Sequence, residues 1–200
     1  MFKISERGYQ ALKVMAVLAV LAPLAYWAYD EGVAPDRGPG DVEAIAGDRA
    51  FQDRRYERAL DEYKAALEKD PGHGNALLGK ANTYVQLERF EDAVAAYNRY
   101  EQEVDPEFAG LYANRGIAYD RMGEHERALA DYRMAQELDP SVDDGPGWLT
   151  RFFHIGPEPP PTVGDRADYL EYQLQLPPHE RKLADPEADR EQRPYTQQAQ

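Results

Sequence analysis

Tyr56-Glu57-Arg58-Ala59-Leu60, Phe90-Glu91-Asp92-Ala93-Val94 and His125-Glu126-Arg127-Ala128-Leu129 are one pattern written three times. A tyrosine follows each at the same distance: Tyr63, Tyr97 and Tyr132. Ala59, Ala93 and Ala128 lie 34 and then 35 residues apart, and the tyrosines keep the same steps. Working backwards, a small residue recurs at Gly47, Ala81 and Gly116. Working forwards, Ala66 and Pro71 match Ala135 and Pro140, while Tyr100 stands where the others have alanine. The extra residue falls before Asp105-Pro106, at a boundary where a turn absorbs it.

The spacing has a physical reading. Small residues belong where two helices cross closely, and the large tyrosines fill the spaces left between units. Pro71 and Pro140 cannot continue a helix, so they force the chain into the next unit. Good helix formers dominate between these points, with Glu57/Arg58 and Glu126/Arg127 on the solvated face.

In period and pattern the segment resembles the tetratricopeptide repeat family, whose 34-residue unit is two antiparallel helices. The resemblance covers about half the chain, residues 41–140, divided at about 41–73, 74–108 and 109–140. It implies an all-α solenoid of three helix–turn–helix repeats. The bulky residue usual near the start of each repeat is Glu43 in the first, with Leu77 and Tyr112 in the others, so the first is least regular. A stacked helix pair cannot bury its own apolar face, so three units approach the minimum and the ends need caps.

The first 31 residues have a different character. Lys3, Arg7 and Lys13 precede Val14 to Tyr29, a stretch without charge, and Asp30 and Glu31 follow at once. Sixteen residues of helix span about 24 Å, short of a hydrocarbon core of about 30 Å. Extension through Ala11 and Leu12, with Lys13 snorkelling, closes the gap. Tyr9, Tyr26, Trp27 and Tyr29 stand at interfacial depth. Every candidate signal-peptidase site is flawed: Tyr26 or Pro23 occupies the third position before the cut, or Pro23 follows it. The expectation is therefore one uncleaved transmembrane helix across residues 11–29. Charge bias places the N-terminus in the cytoplasm and the repeats outside it, in the periplasm if the cell is Gram-negative. Alanines at 16, 19, 22, 25 and 28 drift around the helix and define no single packing face. Residues 32–40 read as an extended Gly/Pro linker.

Beyond the repeats, residues 141–154 carry Gly-Trp-Leu-Thr-Arg-Phe-Phe, which groups Trp148, Leu149, Phe152 and Phe153 on one helix face. A short capping helix is one reading; a wedge for a membrane or partner is the other. In the tail, residues 155–200, four prolines precede Asp165, which can N-cap a helix over about 166–176 with Leu170 and Leu174 at i, i+4. That helix either docks on a partner or folds back along the repeats. The remainder of the tail is polar enough to be disordered alone.

A net charge of −14 argues against nucleic acid as a partner, because phosphate binding needs a basic face. There is no cysteine, so disulfides, thiolate sites and a cysteine nucleophile are excluded. His73, His125, His154 and His179 are scattered without metal-ligand spacing, and no phosphate loop or nucleophile motif occurs. The expectation is a non-enzyme without metal, cofactor or small-molecule substrate.

The family resemblance implies a protein partner in a groove lined by the first helix of each repeat. Its candidates here are Ala44, Asp48, Phe51 and Gln52; Asn75, Leu78, Asn82, Val85 and Gln86; and Ala113, Asn114, Ile117, Asp120 and Arg121. Asn82 and Asn114 correspond to asparagines that bond a peptide backbone in co-chaperone members. The lysines that grip a terminal carboxylate there are missing, with Leu78 at one of their places. The implied groove mixes apolar and amide groups, with Trp148, Phe152, Phe153, Leu170 and Leu174 as further contacts. Functionally this points to a membrane-anchored scaffold or assembly factor acting outside the cytoplasm, with a permanent accessory subunit of a membrane complex as the alternative.

Overall fold

A computed structural model describes residues 13, 15–24, 37–143 and 162–184. The chain divides into two units, Met1–Gly38 and Pro39–Gln200. In the first, residues 15–24 are helical, and Met15, Val17, Leu18, Val20, Leu21 and Leu24 are all exposed. Among the described residues no helix is long and apolar enough to cross a membrane. Most of the flanks of the expected 11–29 span lie outside them.

In the second unit the described residues up to Gln175 form helices joined by turns, and 176–184 are not helical. Three antiparallel pairs follow one another: α1 (Asp41–Gln52) with α2 (Tyr56–Lys69), α3 (Gly74–Gln86) with α4 (Phe90–Glu103), and α5 (Ala109–Arg121) with α6 (His125–Leu138). Each second helix also packs on the first helix of the next pair, so the units stack as a solenoid. A short 3-10 turn, Pro140–Asp143, precedes α7 (Val163–Gln175).

The recurrent residues explain the packing. Tyr63, Tyr97 and Tyr132 are fully buried, as are Ala59, Ala93 and Ala128. The close crossings need glycine: a Cβ at Gly47 would lie 2.6 Å from the Tyr63 ring, and one at Gly116 2.6 Å from that of Tyr132. Tyr100 is buried too, its ring centroid 5.9 Å from that of Phe108. At each unit boundary an aspartate side chain ties the turn, with Asp70, Asp105 and Asp139 accepting from the backbone amides of Gly72, Glu107 and Ser141.

The turn inside each pair needs one left-handed residue. It is Arg54 (φ 58°), then Glu88 (φ 56°), then Gly123 (φ 77°). Only the third is a residue that adopts this backbone without strain.

The tail corrects two expectations. Its helix begins at Val163, and the N-cap is Thr162, which forms a capping box with Asp165. Asp165 is therefore the third helical residue and not the cap. The helix folds back on α6, burying Ala167 and Leu170 completely. It occupies the place beside α6 that α5 occupies beside α4, and so closes the apolar end of the last pair. Burying a leucine such as Leu170 is worth about 2 kcal/mol. Trp148, Phe152 and Phe153, expected in a capping segment, lie outside the described residues.

Candidate partner-binding groove

The first helices α1, α3 and α5 line one side of the stack, and the nominated residues fall on them in register. Gln52 and Asn75 are exposed, while Asp48, Phe51, Asn82, Gln86 and Arg121 are half-buried. Ala44, Leu78, Val85, Ala113, Asn114 and Ile117 are buried, forming the floor and not the accessible wall. Phe51 packs edge-on against Tyr56 at 5.5 Å between centroids.

The amide pair is brought together, but each member holds the other. Asn114 is 1% exposed, and its Nδ2 donates to Asn82 Oδ1 at 3.0 Å. The Tyr97 hydroxyl donates to the same oxygen at 2.5 Å. Tyr63 treats the equivalent Asp48 alike, donating to Oδ1 at 2.7 Å. These bonds fix each second helix to its first, so Asn114 is a structural joint and Asn82 alone of the pair reaches solvent. In the third unit the equivalent position is Ile117, which cannot accept. Tyr132 instead lies 3.4 Å from Asp120 Oδ2.

Asp120 is likewise not groove surface. Arg166 of α7 grips it with two bonds, Nε to Oδ2 at 2.7 Å and Nη2 to Oδ1 at 2.9 Å, both side chains being buried. His125 Nδ1 lies 3.1 Å from Oδ1. Leu170 is consumed by the same docking, whereas Leu174 stays half-exposed. On the groove side, Arg121 Nε is buried without a hydrogen-bond partner among the described residues.

Sequence reasoning missed a second ionic joint. Arg115, on the opposite side of α5, donates to Asp131 through Nε (2.7 Å) and Nη2 (2.9 Å). Its Nη1 reaches Glu101 (2.6 Å) and Asn98 (2.7 Å) on α4. Tyr112 adds a bond to Glu101 at 3.0 Å. Burial works against the Glu101 carboxylate, but the bonds from Arg115 and Tyr112 hold its pKa below the usual value. Burial pushes Asp131 up in spite of Arg115, and pushes the Tyr112 hydroxyl, beside Glu101, to about 12. Burial raises Tyr63, helped by the adjacent Asp48, and raises Tyr97 strongly. The visible signal for the joint was an arginine on the otherwise apolar stripe of Leu111, Arg115 and Ala118.

Among the described residues no group of three or more His, Asp or Glu is placed to hold a metal. The first-helix face presents amides, the Arg121 cation and the Asp48 carboxylate over an apolar floor.

Residues 50–115 and 109–142 match sequence models of the tetratricopeptide repeat. Curated relatives include subunit 4 of the outer dynein arm-docking complex of Danio rerio, 30% identical over 98 residues, covering 49% of this chain and 20% of that protein. The Hsp70-Hsp90 organising protein of Plasmodium falciparum is 26% identical over 105 residues, covering 50% of this chain and 19% of its own. The chain thus spans about a fifth of the length of these relatives. Among solved structures, the first tetratricopeptide domain of Spaghetti (RPAP3) bound to an Hsp90 peptide superposes with a TM-score of 0.56 at 20% identity, covering 69% of this chain and 94% of that one. The yeast Sti1 TPR2B domain in complex with an Hsp70 peptide gives 0.53 at 20% identity, covering 68% and 98%. At that identity the structures speak for the fold alone. The family-model matches and the fold together support the tetratricopeptide repeat family, whose domains are protein-interaction modules and generally not enzymes.

Proposed function

We propose that this chain is a scaffold of three tetratricopeptide repeats, held at a membrane by residues 11–29, that binds a partner protein along α1, α3 and α5 outside the cytoplasm. The observation that carries the binding reading is the first-helix face. It keeps Gln52, Asn75, Asn82, Gln86 and Arg121 accessible over a buried apolar floor, while the described tail helix docks on α6 and takes only Asp120 from that face. The membrane reading rests on the uncharged stretch from Val14 to Tyr29, flanked by cations before and acids after, and on the exposed apolar side chains of residues 15–24.

A co-chaperone-like ligand ending in a carboxylate is not the partner class we favour. Leu78 stands where a gripping lysine is expected, and Asn114 is sealed inside the fold. An internal segment of a protein, held by main-chain bonds to Asn82 and Asn75, fits better.

The test is to express the chain in its own cells with and without residues 1–31. The full chain should resist alkaline extraction from membranes and carry a specific protein with it through affinity purification. Release of the full chain by alkali would contradict the anchor. Purification of the chain alone, time after time, would contradict the scaffold. Co-migration with one fixed complex on native gels would favour the accessory-subunit alternative.

A further inference from the structure

Lys80 on α3 and Arg115 on α5 occupy the same position in successive repeats, 35 residues apart. Both rise between two second helices, and their surroundings differ sharply. Arg115 meets Asn98 and Glu101 from the preceding helix and Asp131 from its own partner helix. The residues at the matching places around Lys80 are Lys64, Leu67 and Ala96. No carboxylate among the described residues forms an ion pair with Lys80, which is half-buried with its Nζ 5.8 Å from the centre of the Tyr84 ring.

The acids nearby are already engaged. Asp92 receives both Nε and Nη2 of Arg89, and Glu103 receives Arg99. Arg89 itself lies over the other flank of Tyr84, its Cζ 4.7 Å from the ring centre. Burial, followed by the charges of Arg99 and Lys64, lowers the pKa of Lys80, and the nearby Asp92 offsets this only in part. In a chain of net charge −14, Lys64, Lys80 and Arg99 lie close enough to repel one another, and among the described residues only Arg99 of the three is in an ion pair, with Glu103.

We propose that this junction is a second binding site, which takes a carboxylate side chain of an acidic protein segment in the place that Asp131 and Glu101 fill around Arg115. Lys80 donates to the carboxylate, Lys64 and Arg99 flank it, and the Tyr84 ring supplies the apolar wall. Lys80 and Asn82 are two residues apart on α3, so their side chains diverge by about 200°. The site therefore lies away from the groove and does not depend on the groove or the membrane being read correctly. The anionic remainder of the chain repels acidic ligands at long range, which restricts recognition to this short-range contact.

The test titrates the solubilised full chain with a short poly-glutamate peptide while following the lysine side-chain signals by NMR. Saturable shifts confined to Lys64 and Lys80, lost in Lys80→Met, are expected. A second variant combines Lys80→Arg with Ala96→Asp and so rebuilds the Arg115–Asp131 pair inside the chain. It should stay folded, melt higher than the parent, and bind the peptide about tenfold or more weakly, the worth of one charge-assisted contact. Absence of saturable shifts would overturn the proposal. So would equal shifts from inorganic phosphate at the same concentration, which would reduce the site to general anion screening, or undiminished binding by the rebuilt variant.

Discussion

The two junctions of the stack are built on the same helices in the same register, yet one is shut by charge and the other left open. At the second junction Arg115, 8% exposed, is held by Asp131, Glu101 and Asn98, joining three helices through one guanidinium. At the first, the positions matching Asn98, Glu101 and Asp131 hold Lys64, Leu67 and Ala96, and Lys80 is in no ion pair among the described residues. A fork with five donors suits multiple carboxylates, whereas an ammonium on a long stem can wait partly solvated. The contrast shows that the repeat scaffold fixes where a side chain goes, and that the local residues decide whether it ties the fold or is left for a ligand.

Removing the closed joint should have the largest effect. Arg115→Met leaves Asp131 and Glu101 without their counter-charge and should cost about 3–5 kcal/mol in urea denaturation. Replacing Arg115, Asp131 and Glu101 together by apolar residues should recover most of it, because the loss comes from stranded charge. The tail latch comes next. Arg166→Ala takes its two-bond cation from buried Asp120, leaving it His125 and Tyr132, and should cost about 3 kcal/mol, with hydrogen-exchange protection lost first in α7. If α7 keeps its protection, the packing of Ala167 and Leu170 and the bonds of Arg133 to Asp168 and Glu171 hold it without Arg166.

Alkali tests the tyrosine joints. The folded pKa of Tyr112 lies at about 12, above its ordinary value of 10.0. The stability it contributes is therefore complete below about pH 10 and lost as the pH rises through about 12. Tyr63 and Tyr97 are raised as well, so the ionisation of these buried rings should appear together with unfolding and not before it.

The turns give smaller, opposite effects in the repeats on either side of the closed junction. Glu88→Gly removes left-handed strain and should stabilise by about 0.5–1 kcal/mol, whereas Gly123→Ala should destabilise by about 1 kcal/mol. The smallest effect is expected at the open junction. Lys80→Met should change stability by less than about 1 kcal/mol, and toward greater stability, since it deletes an uncompensated half-buried charge. A loss matching that of Arg115→Met would erase the distinction between the junctions.

The helix pairs were legible because volume repeats along the sequence: Gly47, Ala81 and Gly116 against Tyr63, Tyr97 and Tyr132 report crossings directly. Polar engagement was not legible, because helical period names a face but not a bonding partner. Asn114 was nominated for a ligand and is spent on Asn82; Asp120 was nominated for the groove and is spent on Arg166, 46 residues away. The tail cap was misplaced for a simpler reason. Thr162 and Asp165 together carry the capping-box spacing, and reading Asp165 alone hid it. Whether the tail helix served a partner or the repeats depended on a buried pair between distant residues, which no local pattern encodes.

Because the chain has no cysteine, a single one can be introduced as a unique crosslinking handle. The most direct test places it at Asn75, exposed on the groove helix α3, and separately at Glu126, exposed on α6. Each is armed with a short photoreactive probe in the full chain within its own membranes, and adducts are identified by mass spectrometry. The account predicts one defined protein captured from Asn75 and none from Glu126. Capture from Glu126 without capture from Asn75 would contradict a partner bound along the first helices.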